Sequence, residues 1–183
     1  GRSANEFIRG DLAELPVRLL NACNPDADSQ ALLLTRSAPI GGNGPAWRRY
    51  LEDGGVIITE YNIAHTVYNQ IFGANVPQGQ RNGGCQDNVQ PVVQFSPADP
   101  FWAQNMFAPV PNGATGCGYH IRGDLMPGFV PIGGWDANNV SIGYINVGAG
   151  RLWLVEADWQ DSDNNFSEGS RDLMAAFIRN TAR

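Results

Sequence analysis

A glycine turn followed by a short β-branched run, residues 54–62, constrains the fold of this chain more than any other stretch. Gly54 and Gly55 can adopt the positive φ that ends a helix. The run Val56-Ile57-Ile58 is typical of a strand that is covered on both faces, as in a parallel sheet. Polar residues follow directly: Thr59, Glu60, Tyr61, Asn62 and, beyond them, His65. Because ligands bind at this end of the strands in open parallel sheets, the stretch predicts an α/β fold and a location for its site.

The rest of the chain alternates between helical and extended patterns. We expect helices over residues 3–15, 45–53, 63–72 and 167–180, the last with a buried face made by Leu173, Met174, Phe177 and Ile178. We expect strands over 17–23, 31–35, 56–60, 89–95, 140–147 and 151–156, the last two forming an antiparallel hairpin. Pro127 and Pro131 argue against a central strand between residues 119 and 132.

This order of elements predicts one α/β domain over residues 1–183. We expect a mainly parallel, flavodoxin-like sheet flanked by helices, with a C-terminal antiparallel hairpin and a closing helix. Because the chain begins at Gly1 without a Met, we also expect it to be a piece of a larger protein.

The composition excludes several classes of function. The net charge is −6 at pH 7, whereas binding to nucleic acid or to an anionic membrane needs a basic face. The sequence contains no Lys, so Schiff-base chemistry and phosphate-loop lysines are excluded. No run of about 18 apolar residues is present, and we therefore expect no membrane span.

The three cysteines indicate whether the protein is located in a reducing or an oxidising compartment. Cys85 and Cys117 lie in glycine-rich segments, which gain most from a cross-link because little else orders them. We expect a Cys85–Cys117 disulfide, and hence an extracytoplasmic protein, secreted or at the cell surface. Cys23 ends an apolar run and is interpreted as a buried thiol.

The polar residues after the 56–60 strand are the main candidate site. One interpretation is a ligand pocket with Glu60 as acid or base, His65 as its partner, and Tyr61, Asn62 and the more distant Trp159 as binding residues. The alternative is local structure only, in which Asn62 caps the following helix. The sequence does not decide between the two.

An acidic loop near the C-terminus is the candidate metal site. Asp158, Asp161 and Asp163 place carboxylates at short spacing, with Asn165 beyond them. Oxygen ligands on a flexible loop suit Ca²⁺, although the full calcium-loop motif is absent. The alternative is a solvated acidic loop, and no other cofactor is expected.

Three segments resemble the class I glutamine amidotransferase-like fold, in particular ThuA-like and other non-amidotransferase relatives. They are Leu32-Leu33-Leu34 with the later Gly54-Gly55-Val56-Ile57-Ile58, then residues 96–102, and then Asn146-Val147-Gly148-Ala149-Gly150-Arg151 with the strand after it. The resemblance covers roughly residues 17–180. It implies the fold and the ligand-binding edge of the sheet.

The same resemblance argues against that family's reaction. Catalytic members place a Cys just after the strand that matches residues 56–59, where this chain has Glu60 and Tyr61. They also place a His–Glu pair after the strand that matches residues 152–155, where this chain has Glu156, Asp158 and Asp161 but no His. Acyl transfer needs a nucleophile within reach of a base.

Three functional hypotheses follow. The first is a non-catalytic binding or structural domain of a secreted or surface bacterial protein, with a carbohydrate or a protein as partner. The alternative is a hydrolase acting on a carbohydrate or a small amide, using Glu60 with Glu156 or Asp158 as paired carboxyls. The third is a cysteine-dependent enzyme using Cys23, Cys85 or Cys117.

Overall fold

The computed structural model describes residues 13, 23–25, 28–36, 38, 40–81, 93–102, 118–156 and 177–179. These residues form one six-stranded sheet, two α-helices whose bounds are described, and part of a third helix. The strands are β1 (Ala31–Leu34), β2 (Val56–Thr59), β3 (Val93–Gln94), β4 (Val130–Asp136), β5 (Asn139–Val147) and β6 (Gly150–Val155). The helices are α1 (Gly44–Glu52) and α2 (Ala64–Phe72), and short 3₁₀ turns span Tyr61–Ile63 and Gly123–Leu125. Residues 177–179 are helical.

The order of the strands in the sheet is β1-β2-β6-β5-β4-β3. The pairs β1–β2 and β2–β6 are parallel, whereas β6–β5, β5–β4 and β4–β3 are antiparallel. The prediction of a mainly parallel, flavodoxin-like sheet flanked by helices is therefore wrong: the sheet is mixed, mostly antiparallel, and accompanied by few helices in the described part. The physical reason is that turns of two residues connect β4 to β5 and β5 to β6, and so short a turn makes consecutive strands antiparallel, whereas parallel pairing needs a crossover connection.

Most local predictions in the first half of the domain are confirmed. The strand at β1, the helix at α1, the strand at β2 and the helix at α2 all form within one or two residues of their predicted bounds. Gly54 and Gly73 adopt φ of 104° and 62° after the two helices. The predicted hairpin also forms, as β5 and β6. All but one residue each of the predicted helix at 3–15 and the predicted strand at 17–23, and most of the predicted helix at 167–180, lie outside the described residues.

The expectation that Pro131 excludes an inner strand is wrong. Pro131 lies in β4, between β3 and β5, and is paired with Gly143. The register shifts between Pro131 and Gly133, and such an irregularity accommodates a residue that has no N–H to donate to the ladder.

The two faces of the sheet carry different cores. On one face Ile57, Leu152 and Leu154 pack against α1 and α2, with the buried side chains Trp47, Leu51, Val67 and Ile71 among the contacts. On the other face Trp153, which is 2% exposed, has its ring centroid 4.8 Å from that of Phe101 and 4.7 Å from that of Phe177. Phe177 and Ile178 are buried, as the pattern of the closing helix predicts.

The turn between β5 and β6 lies against the end of α1. The N–H of Ala149 donates to the carbonyl oxygen of Glu52 at 3.2 Å. A Cβ at Gly150 would collide with the carbonyl oxygens of Leu51 and Gly55, so only glycine allows this approach of two backbones. The contact fixes the position of β6 beside β2, and thereby the edge on which the candidate site lies.

Candidate functional site

The three parallel strands end at one edge of the sheet, and each is followed by a charged residue. Arg36 lies two residues after β1, Glu60 follows β2, and Glu156 follows β6. The register pairs Leu34 with Thr59 and Ile58 with Trp153, so these strand ends are adjacent. Glu60 and Glu156, which the hydrolase hypothesis pairs, therefore follow neighbouring strands at one edge of the sheet.

The side chain of Thr59 closes the ladder between β2 and β6 at this edge. Its hydroxyl accepts a hydrogen bond from the N–H of Val155 at 2.9 Å and lies 3.2 Å from the carbonyl oxygen of Val155, to which it donates. Thr59 is fully buried. A side chain thus takes the place of the next backbone pair between β2 and β6, directly before Glu60 and Glu156.

Glu60 binds the segment that follows β1. Its Oε2 accepts a hydrogen bond from the backbone N–H of Arg36 at 2.7 Å, and its Oε1 lies 3.6 Å from Nη2 of the same residue. The Glu60 side chain is 0% exposed and the Arg36 side chain 23%. The guanidinium carbon of Arg36 also lies 4.3 Å from the ring centroid of Tyr61. Sequence reasoning did not identify Arg36, although it is the first charged residue after a predicted buried strand.

Tyr61 occupies a sharp turn between β2 and α2. Its φ of 57° makes it the single non-glycine residue with positive φ in the described part of the chain. A strained residue between a strand and a helix is the geometry that presents the nucleophile in some hydrolases. Here burial raises the pKa of the Tyr61 hydroxyl, which is hydrogen-bonded to Tyr119, and the two rings meet edge to face with centroids 5.5 Å apart. The turn therefore holds a protonated phenol rather than an activated nucleophile.

Glu156 is the second buried carboxyl, and its environment opposes ionisation. It is 2% exposed. Burial raises the pKa of Glu156 well above its usual value near 4.5, and the charge of Glu60 adds to that rise. Hydrogen bonding from the backbone N–H groups of His65 and Ala64 acts in the opposite direction on this pKa but is outweighed. The result is a carboxyl group that retains its proton to a higher pH than an exposed Glu.

The interpretation of Asn62 as a helix cap is wrong. The N-cap position of α2 is Ile63, and α2 has no side-chain capping hydrogen bond at that position. Asn62 lies half-buried within the 3₁₀ turn. The start of α2 instead meets the carboxyl group of Glu156, which comes from a strand more than 90 residues away in sequence.

His65 does not form the expected pair with Glu60. Its Nε2 lies 3.2 Å from the hydroxyl of Thr66, and its buried Nδ1 has no hydrogen-bond partner within the part of the chain that the structure describes. Burial lowers the pKa of the His65 imidazole and favours its neutral form. His65 is thus at the site but is not bonded to the carboxyl that the sequence suggested for it.

Cys23 does not have the properties of a reactive cysteine. It is a free, buried thiol, and burial raises its pKa, which keeps the nucleophilic thiolate scarce. Its carbonyl oxygen accepts a 2.6 Å hydrogen bond from the indole of Trp47, so the segment is tied to α1. The interpretation of Cys23 as a buried thiol is confirmed.

The remaining predicted residues lie outside the described ranges. They are Cys85, Cys117, Asp158, Trp159, Asp161 and Asp163. Among the residues that are described, no group of three or more His, Cys, Asp or Glu side chains is arranged to hold a metal ion. No helix in the same ranges is long and apolar enough to cross a bilayer.

No family model matches the chain, and no curated protein matches it either. The resemblance to glutamine amidotransferase-like proteins therefore stays a prediction from short motifs, and any conclusion on function rests on the geometry of the site.

Proposed function

We propose that this chain is a non-catalytic binding or structural domain of a secreted or surface bacterial protein. The observation that supports this most directly is that both carboxyl groups at this edge of the sheet are buried in contacts with other parts of the chain. Glu60, at 0% exposure, binds the backbone and guanidinium of Arg36, and Glu156, at 2%, lies against the start of α2. A general acid or base must lie within hydrogen-bonding reach of the substrate, and neither group meets solvent in this conformation.

The turn after β2 supports the same proposal. In hydrolases with a strained residue at this position, that residue is the nucleophile. Tyr61 is 9% exposed, and burial raises its pKa, so its hydroxyl is a weak nucleophile.

A carbohydrate or a protein remains the partner that we propose, since a net charge of −6 opposes nucleic acid.

A hydrolase is the second candidate, favoured by one observation. Glu60 faces the guanidinium of Arg36, whereas burial raises the pKa of Glu156. Two neighbouring carboxyls whose environments favour opposite protonation states are the arrangement used for acid and base roles in glycoside hydrolysis. In such an enzyme Glu156 would donate a proton and Glu60 would act as the base or nucleophile.

One experiment separates the two candidates. Wild-type protein, Glu60→Gln and Glu156→Gln would be assayed for turnover of chromogenic aryl glycosides and aryl amides, with Glu52→Gln as a control on the exposed Arg48–Glu52 pair. We expect the four proteins to give the same rates, equal to buffer. A rate that Glu60→Gln or Glu156→Gln abolishes while Glu52→Gln preserves it would overturn the non-catalytic proposal and support the hydrolase.

We base the proposed extracytoplasmic location on the predicted disulfide between Cys85 and Cys117. Arg81 and Tyr119 form an antiparallel bridge, and the N–H of His120 donates to the carbonyl oxygen of Gln80 at 2.8 Å. Cys85 lies four residues after Arg81 in the sequence, and Cys117 lies two residues before Tyr119. The bridge thus aligns the chain shortly before Cys85 with the chain shortly after Cys117. This alignment lowers the entropic cost of closing a disulfide between them.

A further inference from the structure

The backbone of Glu156 is fixed on both sides. Its N–H donates to the carbonyl oxygen of Ser141 in β5 at 2.9 Å, and its carbonyl oxygen accepts from the N–H of Tyr119 at 3.4 Å. Side chains alternate along a strand, so Glu156 points to the same face as Leu154, the face covered by α1 and α2. Its carboxyl group is therefore enclosed between the sheet and the start of α2.

Two buried oxygen atoms at this point lack partners. Oε2 of Glu156 has no hydrogen bond within the described part of the chain, and neither has Oγ of Ser141, which is 0% exposed. The register that pairs Ile142 with Val155 places Ser141 directly opposite Glu156, on the same face. A carboxylate in such a place would need neighbours that offset its charge.

Among the residues that the structure describes, no cation acts on the Glu156 carboxyl group. Arg81, which is bridged to Tyr119, acts instead on the phenol of Tyr61. From the end of β2 comes Glu60, which is itself acidic, and its guanidinium partner Arg36 lies over Tyr61. From α2 comes His65, whose pKa is lowered by burial. From the remaining segments come the phenols of Tyr61 and Tyr119 and the hydroxyl of Ser141. The groups that favour a charged Glu156 are the backbone N–H groups of His65 and Ala64.

We propose that Glu156 is a proton-sensitive contact: it closes the carboxyl edge of the sheet onto α2 as a neutral acid, and its ionisation opens that edge. An ionised Glu156 draws water between β6 and the neighbouring segment. The bond from Tyr119 to the Glu156 carbonyl is the longer of its two backbone bonds and opens first. Protonation thereby controls the contact between this edge of the sheet and α2.

The sign of the pH dependence follows from the direction of the shift. The unfolded chain releases the Glu156 proton near its usual pKa of 4.5, whereas the folded chain retains it to higher pH because burial raises the pKa. The contribution of Glu156 to stability is therefore fully present below that usual value and is lost as pH rises through the folded-state pKa. One retained proton changes the unfolding constant roughly tenfold per pH unit in this range.

The test compares denaturant unfolding of wild-type protein, Glu156→Gln and Glu52→Gln between pH 4 and pH 9. Glutamine resembles the neutral acid and cannot ionise. We expect the unfolding constant of wild type to rise with pH more steeply than that of Glu156→Gln. The difference between the two should be roughly tenfold per pH unit over the range in which Glu156 retains its proton in the folded state only. Glu52→Gln should follow wild type. Parallel pH profiles for wild type and Glu156→Gln would overturn the proposal.

Two measurements keep the test decisive if Glu156→Gln folds poorly. Infrared spectra of wild-type protein recorded from pH 4 to pH 9 should show a C=O stretch of a protonated carboxylic acid that persists above the pH at which exposed carboxyl groups ionise. Loss of that band together with the exposed carboxyl groups would overturn the proposal. Amide exchange, corrected for the intrinsic rate, should show the Tyr119 N–H losing protection as pH rises. Constant protection of that amide across the titration would contradict the opening step.

Discussion

Replacing Glu60 by glutamine tests whether the buried ion pair holds the segment after β1 in place. Glu60 makes two contacts with Arg36, through the backbone N–H at 2.7 Å and the guanidinium at 3.6 Å. Glutamine has nearly the same shape and keeps one oxygen for the N–H, but it removes the negative charge. The variant therefore isolates the electrostatic part of the interaction.

The magnitude follows from burial and from the number of contacts. A hydrogen bond to a charged group contributes about 1.5–3 kcal/mol, and breaking a fully buried ion pair costs about 3–5 kcal/mol. The Arg36 side chain is 23% exposed and water partly screens its charge, so the lower end applies. We expect Glu60→Gln to lose about 2 kcal/mol, which at this chain length lowers Tm by roughly 4–8 °C.

Thermal unfolding followed by circular dichroism measures this loss. The matched control is Glu52→Gln, because Glu52 pairs with Arg48 at a shorter distance, 2.9 Å, but the two side chains are 45% and 48% exposed. We expect the control to lose less than about 0.5 kcal/mol. Equal Tm values for the two variants would refute the argument that burial, rather than distance, determines the strength of the Arg36–Glu60 pair.

Two further predictions concern the disulfide and the turn between β5 and β6. Titration of free thiols on the unfolded, non-reduced protein should give one per chain, from Cys23, whereas three would exclude the Cys85–Cys117 disulfide. Gly150→Ala should lower the free energy of unfolding by more than about 3 kcal/mol, because its Cβ would collide with backbone carbonyls, which cannot rotate away. Gly41→Ala, which has open space around it, is the control, with a change within about 0.5 kcal/mol; similar denaturation midpoints for the two would show that β6 does not need that close approach.

The sequence by itself determined the local elements. Gly54 and Gly73 end the helices that precede them, and the β-branched run of β2 forms a buried strand. These signals depend on residues within one or two turns of one another, so they are readable without the rest of the chain. For the same reason the sequence could indicate that Glu60 and Glu156 each follow a strand.

Only the tertiary structure decided how those elements combine. The sequence did not show that β6 of the predicted hairpin pairs in parallel with β2, or that β4 and β3 extend the sheet antiparallel beyond β5. Such strand pairing depends on contacts between distant segments. The Arg36–Glu60 pair, the positive φ of Tyr61 and the burial of Glu156 beside α2 have the same origin. Each is set by the packing of segments far apart in the chain, which the local sequence pattern does not predict.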